Sequence, residues 1–222
     1  MTSEGWDWGG GGGGGGHVVR DVLAGEVVED ATGRVVLASP ERVDAFCKYY
    51  ARCGGCQLQH WELAPYHTWK MSLITSALAK RGIEASVGEI IDAHGAGRRR
   101  VSLHVRKKDG VVTAGFMAAR SHELIDIDQC PILTPALANA TEIARKLGSR
   151  LGDCDVSLTA ADNGLDVSIK VERKIDDEQL PKLAGLVAEL KLLRSTTNGN
   201  LVSTLATPVQ AMGKGLVRFP AC

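Results

Sequence analysis

Three thiols within ten residues constrain this chain more than any other stretch of it: Cys47-Lys-Tyr-Tyr-Ala-Arg-Cys53-Gly-Gly-Cys56-Gln-Leu-Gln-His60. The Cys-x5-Cys-x2-Cys spacing lets successive sulfurs wrap one inorganic centre, and Gly54 and Gly55 are expected to supply positive backbone angles and close approach. Such a centre needs a fourth ligand. Cys130 is the best placed: it follows the alternating, strand-like Glu123-Leu-Ile-Asp-Ile-Asp128 and precedes Pro131, at a strand end where a side chain can point into a site. Cys154 and Cys222 are weaker candidates, the first reading as a small buried residue ahead of a strand, the second as terminal. Three fates compete for the thiols: inert reduced cysteines, structural zinc, and a 4Fe–4S cluster. Free cysteines are seldom packed this densely. Zinc sites usually pair two Cys-x2-Cys halves, and only one is present here. A tight three-thiol loop with one distant thiol suits an iron–sulfur cluster best. Disulfides fit least, since no secretory leader is recognised ahead of these residues.

The rest of the chain reads as support for that loop. With 222 residues, 44% of them hydrophobic, there is enough for one domain with a real core, or one domain and a fragment of another. Its apolar runs are a few residues long, against the ~20 that a spanning helix needs. A cytoplasmic monomer without a membrane partner is therefore expected. Formal net charge is zero, so any nucleic-acid contact must rest on local patches.

Eight consecutive glycines, Gly9–Gly16, make residues 1–17 a disordered leader: the tract has no side chains to bury and maximal entropy to lose. No strand-loop-helix pattern with a lysine follows it, which argues against a phosphate-binding loop. Two short strands are expected in 25–28 and 33–37. A helix is expected over 64–80, with Pro65 in its first turn, Gly82 ending it, and Tyr66, Trp69, Leu73, Ile74, Ala77 and Leu78 forming a core-facing stripe. Val101–Val105 and Val111–Met117 form a hairpin about Asp109-Gly110. Six basic residues, including Arg98, Arg99, Arg100, Lys107 and Lys108, fall within eleven positions here. They read either as a solvated sheet edge protected by charge or as phosphate contacts to RNA, which give affinity and register. A helix opened by Thr134-Pro135 runs through Leu147. A second hairpin joins Val156–Thr159 to Leu165–Val171 about Asp162-Asn-Gly164, and a third helix covers 177–192. Short strands are expected at Leu201–Leu205 and Leu216–Phe219. Hairpins alternating with helices predict an α+β fold, a mainly antiparallel sheet with flanking helices around the cluster-binding loop.

The thiol loop continues as Cys-Gly-Gly-Cys-Gln-Leu-Gln-His, then Tyr66 and Trp69-Lys70. Further on come Gly115-Phe116, Ala119-Arg-Ser-His122, and Ile125-Asp-Ile-Asp-Gln-Cys-Pro-Ile-Leu133. In this order the blocks resemble the cluster-bearing RNA uracil-5-methyltransferases that make 5-methyluridine in 23S rRNA and tRNA, from about Ser39 to the C-terminus. The resemblance implies that Cys47, Cys53, Cys56 and Cys130 hold a 4Fe–4S cluster, and that Arg120 and His122 join the basic residues in touching RNA. It implies that 18–43 is the remnant of an OB-type barrel with its linker, that 44–222 is a central iron–sulfur domain, and that helix 64–81 packs on a methyltransferase domain. Nothing resembles a glycine-rich S-adenosylmethionine loop, and no thiol sits in the settings that mark the family's base and nucleophile, Asp-Pro-Pro-Arg and Ser-Cys-Asn-Pro. Uracil becomes a carbon nucleophile at position 5 only after a cysteine adds at position 6. This chain alone is therefore expected to lack catalytic and cofactor-binding residues, to be inactive, and to bind RNA, ribosomal rather than transfer. S-adenosylmethionine would serve only the full-length enzyme. A freestanding iron–sulfur binding or electron-transfer module is the competing reading.

Overall fold

The computed structural model describes residues 21–29, 31–91, 97–172, 175, 179–192, 194–198 and 200–204. The glycine tract, the start of the third expected helix, the strand expected at Leu216–Phe219, and Cys222 lie outside the described residues. The chain divides into two units, Met1–Arg42 and Val43–Cys222.

In the first unit, β1 (Val27–Val28) pairs antiparallel with β2 (Val35–Leu37). Two strands this short are marginal by themselves, and a buried ion pair reinforces them. Arg42 donates from Nε and Nη2 to the two carboxylate oxygens of Glu26, both at 2.5 Å. The backbone N–H groups of Leu23 and Ser39 donate to the same carboxylate at 2.8 and 3.1 Å. The Glu26 side chain exposes 0% of its surface and Arg42 26%. The Arg42 hydrogen bonds hold the Glu26 carboxyl at about 2, far below its usual range. A carboxylate depressed in the folded state stabilises it above the unfolded pKa, and that contribution is lost as the proton is forced on. The pairing of Val27–Val28 with Val35–Leu37 should thus weaken as pH falls from about 4.5 toward 2. Glu26→Gln should show the weakening already at neutral pH, both read from the amide NMR signals of this segment.

The second unit is built on a seven-stranded sheet in the order β5-β4-β3-β6-β7-β8-β9. The strands are β3 (Arg100–Lys108), β4 (Val111–Met117), β5 (Leu124–Asp126), β6 (Cys154–Ala161), β7 (Gly164–Lys170), β8 (Arg194–Thr197) and β9 (Asn200–Thr204). All neighbours run antiparallel except β7 and β8, so the fold is α+β with a mixed sheet. Both expected hairpins form. Asp109 and Gly110 take φ of 51° and 81°, the left-handed pair a two-residue turn requires. Alternation along β3 sends Val101, Leu103 and Val105 into the core and leaves Ser102 and His104 on the open face. One face is covered by α2 (Ala140–Leu151), α3 (Gln179–Glu189) and a 3-10 turn at Pro135–Leu137. Leu137, Ile143, Ala144 and Leu147 are buried as expected.

The helix expected from Thr134 is broken in two. Asn139 sits at φ −93°, ψ 14°, so a 3-10 turn precedes it and α2 begins only at Ala140, running on to a stop at Gly152 (φ 77°). Thr134 makes no side-chain capping bond. The larger departure is α1 (Leu63–Ala79), where only Tyr66 is buried. The Ile83 N–H bonds to the Leu78 carbonyl across Gly82 (φ 67°), and the helix ends where glycine was expected to end it. Its stripe, however, is not core: Leu73 and Ile74 expose 46% and 52% of their surface. Helical spacing of apolar residues marks a face that wants a partner, and here the described residues do not supply one as they do for α2. Among them, no helix is long and apolar enough to cross a membrane.

Gly148 sets how closely α2 approaches the sheet, since a Cβ there would lie 2.3 Å from Val105 Cγ1 and 3.2 Å from Val112 Cγ1. Gly148→Ala should cost about 1–3 kcal/mol by overpacking. Urea denaturation of G148A, V105A and the double variant should show the pair costing less than the sum of the singles.

Candidate metal centre

Two segments far apart in sequence meet at one end of the sheet. On the first, a turn begins at Cys47: Tyr50 N–H donates to Cys47 O at 2.9 Å and Cys53 N–H to Tyr49 O at 2.8 Å. The left-handed residue of this turn is Ala51, at φ 66°, and neither Gly54 nor Gly55 has positive φ. That part of the sequence expectation is corrected, and close approach is the reason for Gly54. Its N–H donates to Met117 O at 3.0 Å, and a Cβ would stand only 2.7 Å from that carbonyl. Cys53 thereby pairs as an antiparallel bridge with Ala118, just past β4. The segment closes with Cys47 N–H on Gln59 Oε1 at 3.3 Å and with the Tyr50 hydroxyl between Gln57 O and Nδ1 of buried His60. His60 thus locks the loop.

On the second segment, Cys130 follows β5 and the buried Ile127. Its position is fixed from the other side by the lead into β3. Arg98 N–H donates to Ile132 O at 2.6 Å, and Thr134 N–H donates to Arg98 O at 3.1 Å. Gly97 (φ 72°) fits here because a Cβ would lie 2.3 Å from Thr134 N and 2.4 Å from Leu133 C.

Cys47, Cys53, Cys56 and Cys130 line one cavity, with Arg98, Phe116 and Ile127 in its wall. Burial pushes the Cys130 thiol up to about 11. The Ile132 N–H opposes this, while the other three thiols, as like-charged neighbours, add to it. Cys53 is raised chiefly by burial as well, and the Gly55 N–H, donating to its sulfur at 3.4 Å, works in the opposite sense. No three His, Cys, Asp or Glu side chains among the described residues are grouped as a single bound metal ion would require. Cys154 lies elsewhere, buried on β6 opposite Val105.

The basic residues do not form one patch. Arg98 lines the thiol cavity. Arg99 is engaged at the β6–β7 turn, donating to Asp162 at 2.9 Å and to Ala160 O. Arg100 is exposed at the start of β3. Lys107 and Lys108 are at its far end, roughly 25 Å away at about 3.3 Å per residue, and Lys107 Nζ donates to Ser149 O at 2.8 Å. Arg120 (φ 55°) and His122 are exposed in the turn between β4 and β5, beside the Cys53–Ala118 bridge. Arg100, Arg120 and His122 therefore share the thiol end, and the two lysines do not. Sequence reasoning did not single out Lys48, Tyr49 and Asp128, which join the two thiol-bearing segments directly. The only signal was an acidic residue ending an alternating run.

No protein-family model matches the chain. It is 34% identical over 209 residues to an uncharacterized RNA methyltransferase of Brucella suis biovar 1, covering 89% of this chain and 50% of that protein. An uncharacterized RNA methyltransferase of Caulobacter vibrioides is 34% identical over 213 residues, 90% of this chain and 50% of the relative. The 23S rRNA (uracil(1939)-C(5))-methyltransferase RlmD of Halomonas elongata is 40% identical over 114 residues, 50% of this chain and 24% of that enzyme. This chain thus spans about half the length of the first of these relatives.

Proposed function

We propose that this chain is the iron–sulfur and RNA-recognition portion of an S-adenosylmethionine-dependent RNA uracil-5-methyltransferase acting on ribosomal RNA. The observation that carries the reading is the single cavity lined by four thiols from two distant segments. Their donor chemistry fits a 4Fe–4S cluster. Zinc sites usually pair two Cys-x2-Cys halves, and this sequence offers one, with the remaining two thiols of the cavity at Cys47 and Cys130. Arg98 in the cavity wall suits a centre whose four thiolates leave net negative charge. When bound, such a centre ties the Cys47–Cys56 loop to Cys130 and supplies folding free energy rather than a reactive site, because four cysteines leave no open iron. Methyl transfer is assigned to the half of the relatives that this chain does not span, and the exposed apolar residues of α1 to the surface on which that half packs.

Anaerobically purified protein should be brown, with about four irons and four sulfides per chain, and Cys53→Ser or Cys130→Ser should bleach it. Stoichiometric zinc without sulfide would overturn the reading. For RNA, the exposed cations at the thiol end are assigned phosphate contacts. Replacing Arg100 and Arg120 by Ala should flatten the salt dependence of RNA binding by ~0.7–0.9 for each phosphate left unneutralised. Replacing Lys107 and Lys108 tests the far end of β3 separately, and an unchanged slope in both variants would assign these charges to solubility.

A further inference from the structure

Three side chains other than the thiols join the two segments, and one of them, Tyr49, also lines the cavity. Lys48 and Tyr49 directly follow Cys47, and Asp128 stands two residues before Cys130. The Tyr49 hydroxyl donates to Asp128 Oδ1 at 2.8 Å, and the Asp128 backbone N–H donates back to the same hydroxyl at 3.0 Å. Lys48 Nζ reaches Oδ2 at 2.6 Å and lies 5.1 Å from the Tyr49 ring centre. Asp128 is itself anchored to α2, because the Thr141 hydroxyl donates to its carbonyl at 2.7 Å. One residue earlier, Arg145 donates to the carbonyl of Ile127, a residue buried in the core, at 2.6 Å. The loop is thus fastened through Asp128 to α2 and to the edge of the buried core. None of these contacts involves a sulfur.

We propose that this clasp holds the two thiol-bearing segments together with no centre bound, so that the apo protein presents a formed four-thiol cavity, and that opening of the clasp sets the rate at which a bound centre is lost. Lys48, Tyr49 and Asp128 are positioning residues. They bind no metal and act by keeping Cys130 opposite the loop. The two arms differ in character. The Lys48–Asp128 ion pair is more than half exposed on both sides, 54% and 61%, so it is weak and salt-screened. The reciprocal Tyr49–Asp128 bonds include a main-chain donor and do not depend on ionic strength in the same way. Only the identity of the centre rests on the function proposed above; the apo state can be tested without it.

The test uses the whole 222-residue chain, stripped of metal by a chelator under reducing conditions, and follows alkylation of Cys130 by mass spectrometry. Cys154, buried on β6, serves as the internal control for global unfolding. Tyr49→Phe removes both reciprocal bonds and Asp128→Ala removes the Tyr49 and Lys48 contacts to the carboxylate; each should speed alkylation of Cys130 by about tenfold, with Cys154 unchanged. Asp128→Asn keeps an acceptor for Tyr49 and should fall between wild type and Asp128→Ala. Lys48→Met should have a smaller effect that disappears at high salt. In the iron-loaded protein, the same variants should lose their visible absorbance to a chelator in the same rank order. Wild-type rates for Cys130 in both Asp128→Ala and Tyr49→Phe would overturn the clasp, as would variants in which Cys154 accelerates equally. A wild type that holds no iron, yet shows the alkylation order, would sink the iron–sulfur reading and leave the clasp standing.

Discussion

Main-chain pairing along β3 fixes the distances at the thiol end of the sheet. The strand lies between β4 and β6, so its register with each decides where their ends fall. Arg98, leading into β3, pairs with Ile132–Thr134, with Gly97 closely approaching Leu133 and Thr134, and so places the Cys130 segment. The end of β4 takes Cys53 as an added bridge and places the other segment. A one-residue slip of β3 would exchange its buried valines and leucine for its polar residues, and α2, packed against Val105 and Val112 at its Gly148, opposes such a slip. The hydrophobic layer between α2 and the sheet thus underlies the placement of the thiol segments, and Cys130 itself packs against that core.

Much of this was legible because the relevant signals are local. Cysteine spacing pointed to four residues that do line one cavity, and Asp109-Gly110 with its flanking alternation specified a hairpin. What escaped was decided by tertiary context. The apolar stripe of α1 reads identically whether or not a partner covers it, so periodicity alone placed Leu73 and Ile74 in a core they do not enter. Asn139 is an acceptable helix residue by propensity, and its conformation here comes from the 3-10 turn ahead of it. β8, with the sequence Arg-Ser-Thr-Thr, carries no alternation and is recruited by parallel pairing with β7. The basic run looked like one patch because sequence distance was taken for proximity. An extended strand separates its two ends, and Arg99 meets Asp162 across the sheet. The clasp on Asp128 was invisible for the same reason, its partners being nearly eighty positions apart.

The thiol cavity also shows how a fold reconciles burial with charge. Taken from water, a thiol resists ionising, and Cys130 is held well above the ordinary range by that cost. Around the sulfurs the structure sets backbone N–H donors such as those of Ile132 and Gly55. These matter little while the sulfurs carry protons and much once the protons leave.

Separation along the chain has a consequence in time as well as in space. Cys130 follows Cys56 by 74 residues, and a ribosome adding about 5–20 residues per second needs roughly 4–15 s to cross that interval. Through those seconds the Cys47–Cys56 loop carries three thiols without the fourth, and until β4 (Val111–Met117) emerges it also lacks the edge on which Cys53 and Gly54 dock. Completion of the sheet ends the interval, so the speed with which β3–β5 fold behind the loop decides how long the thiols stand unguarded.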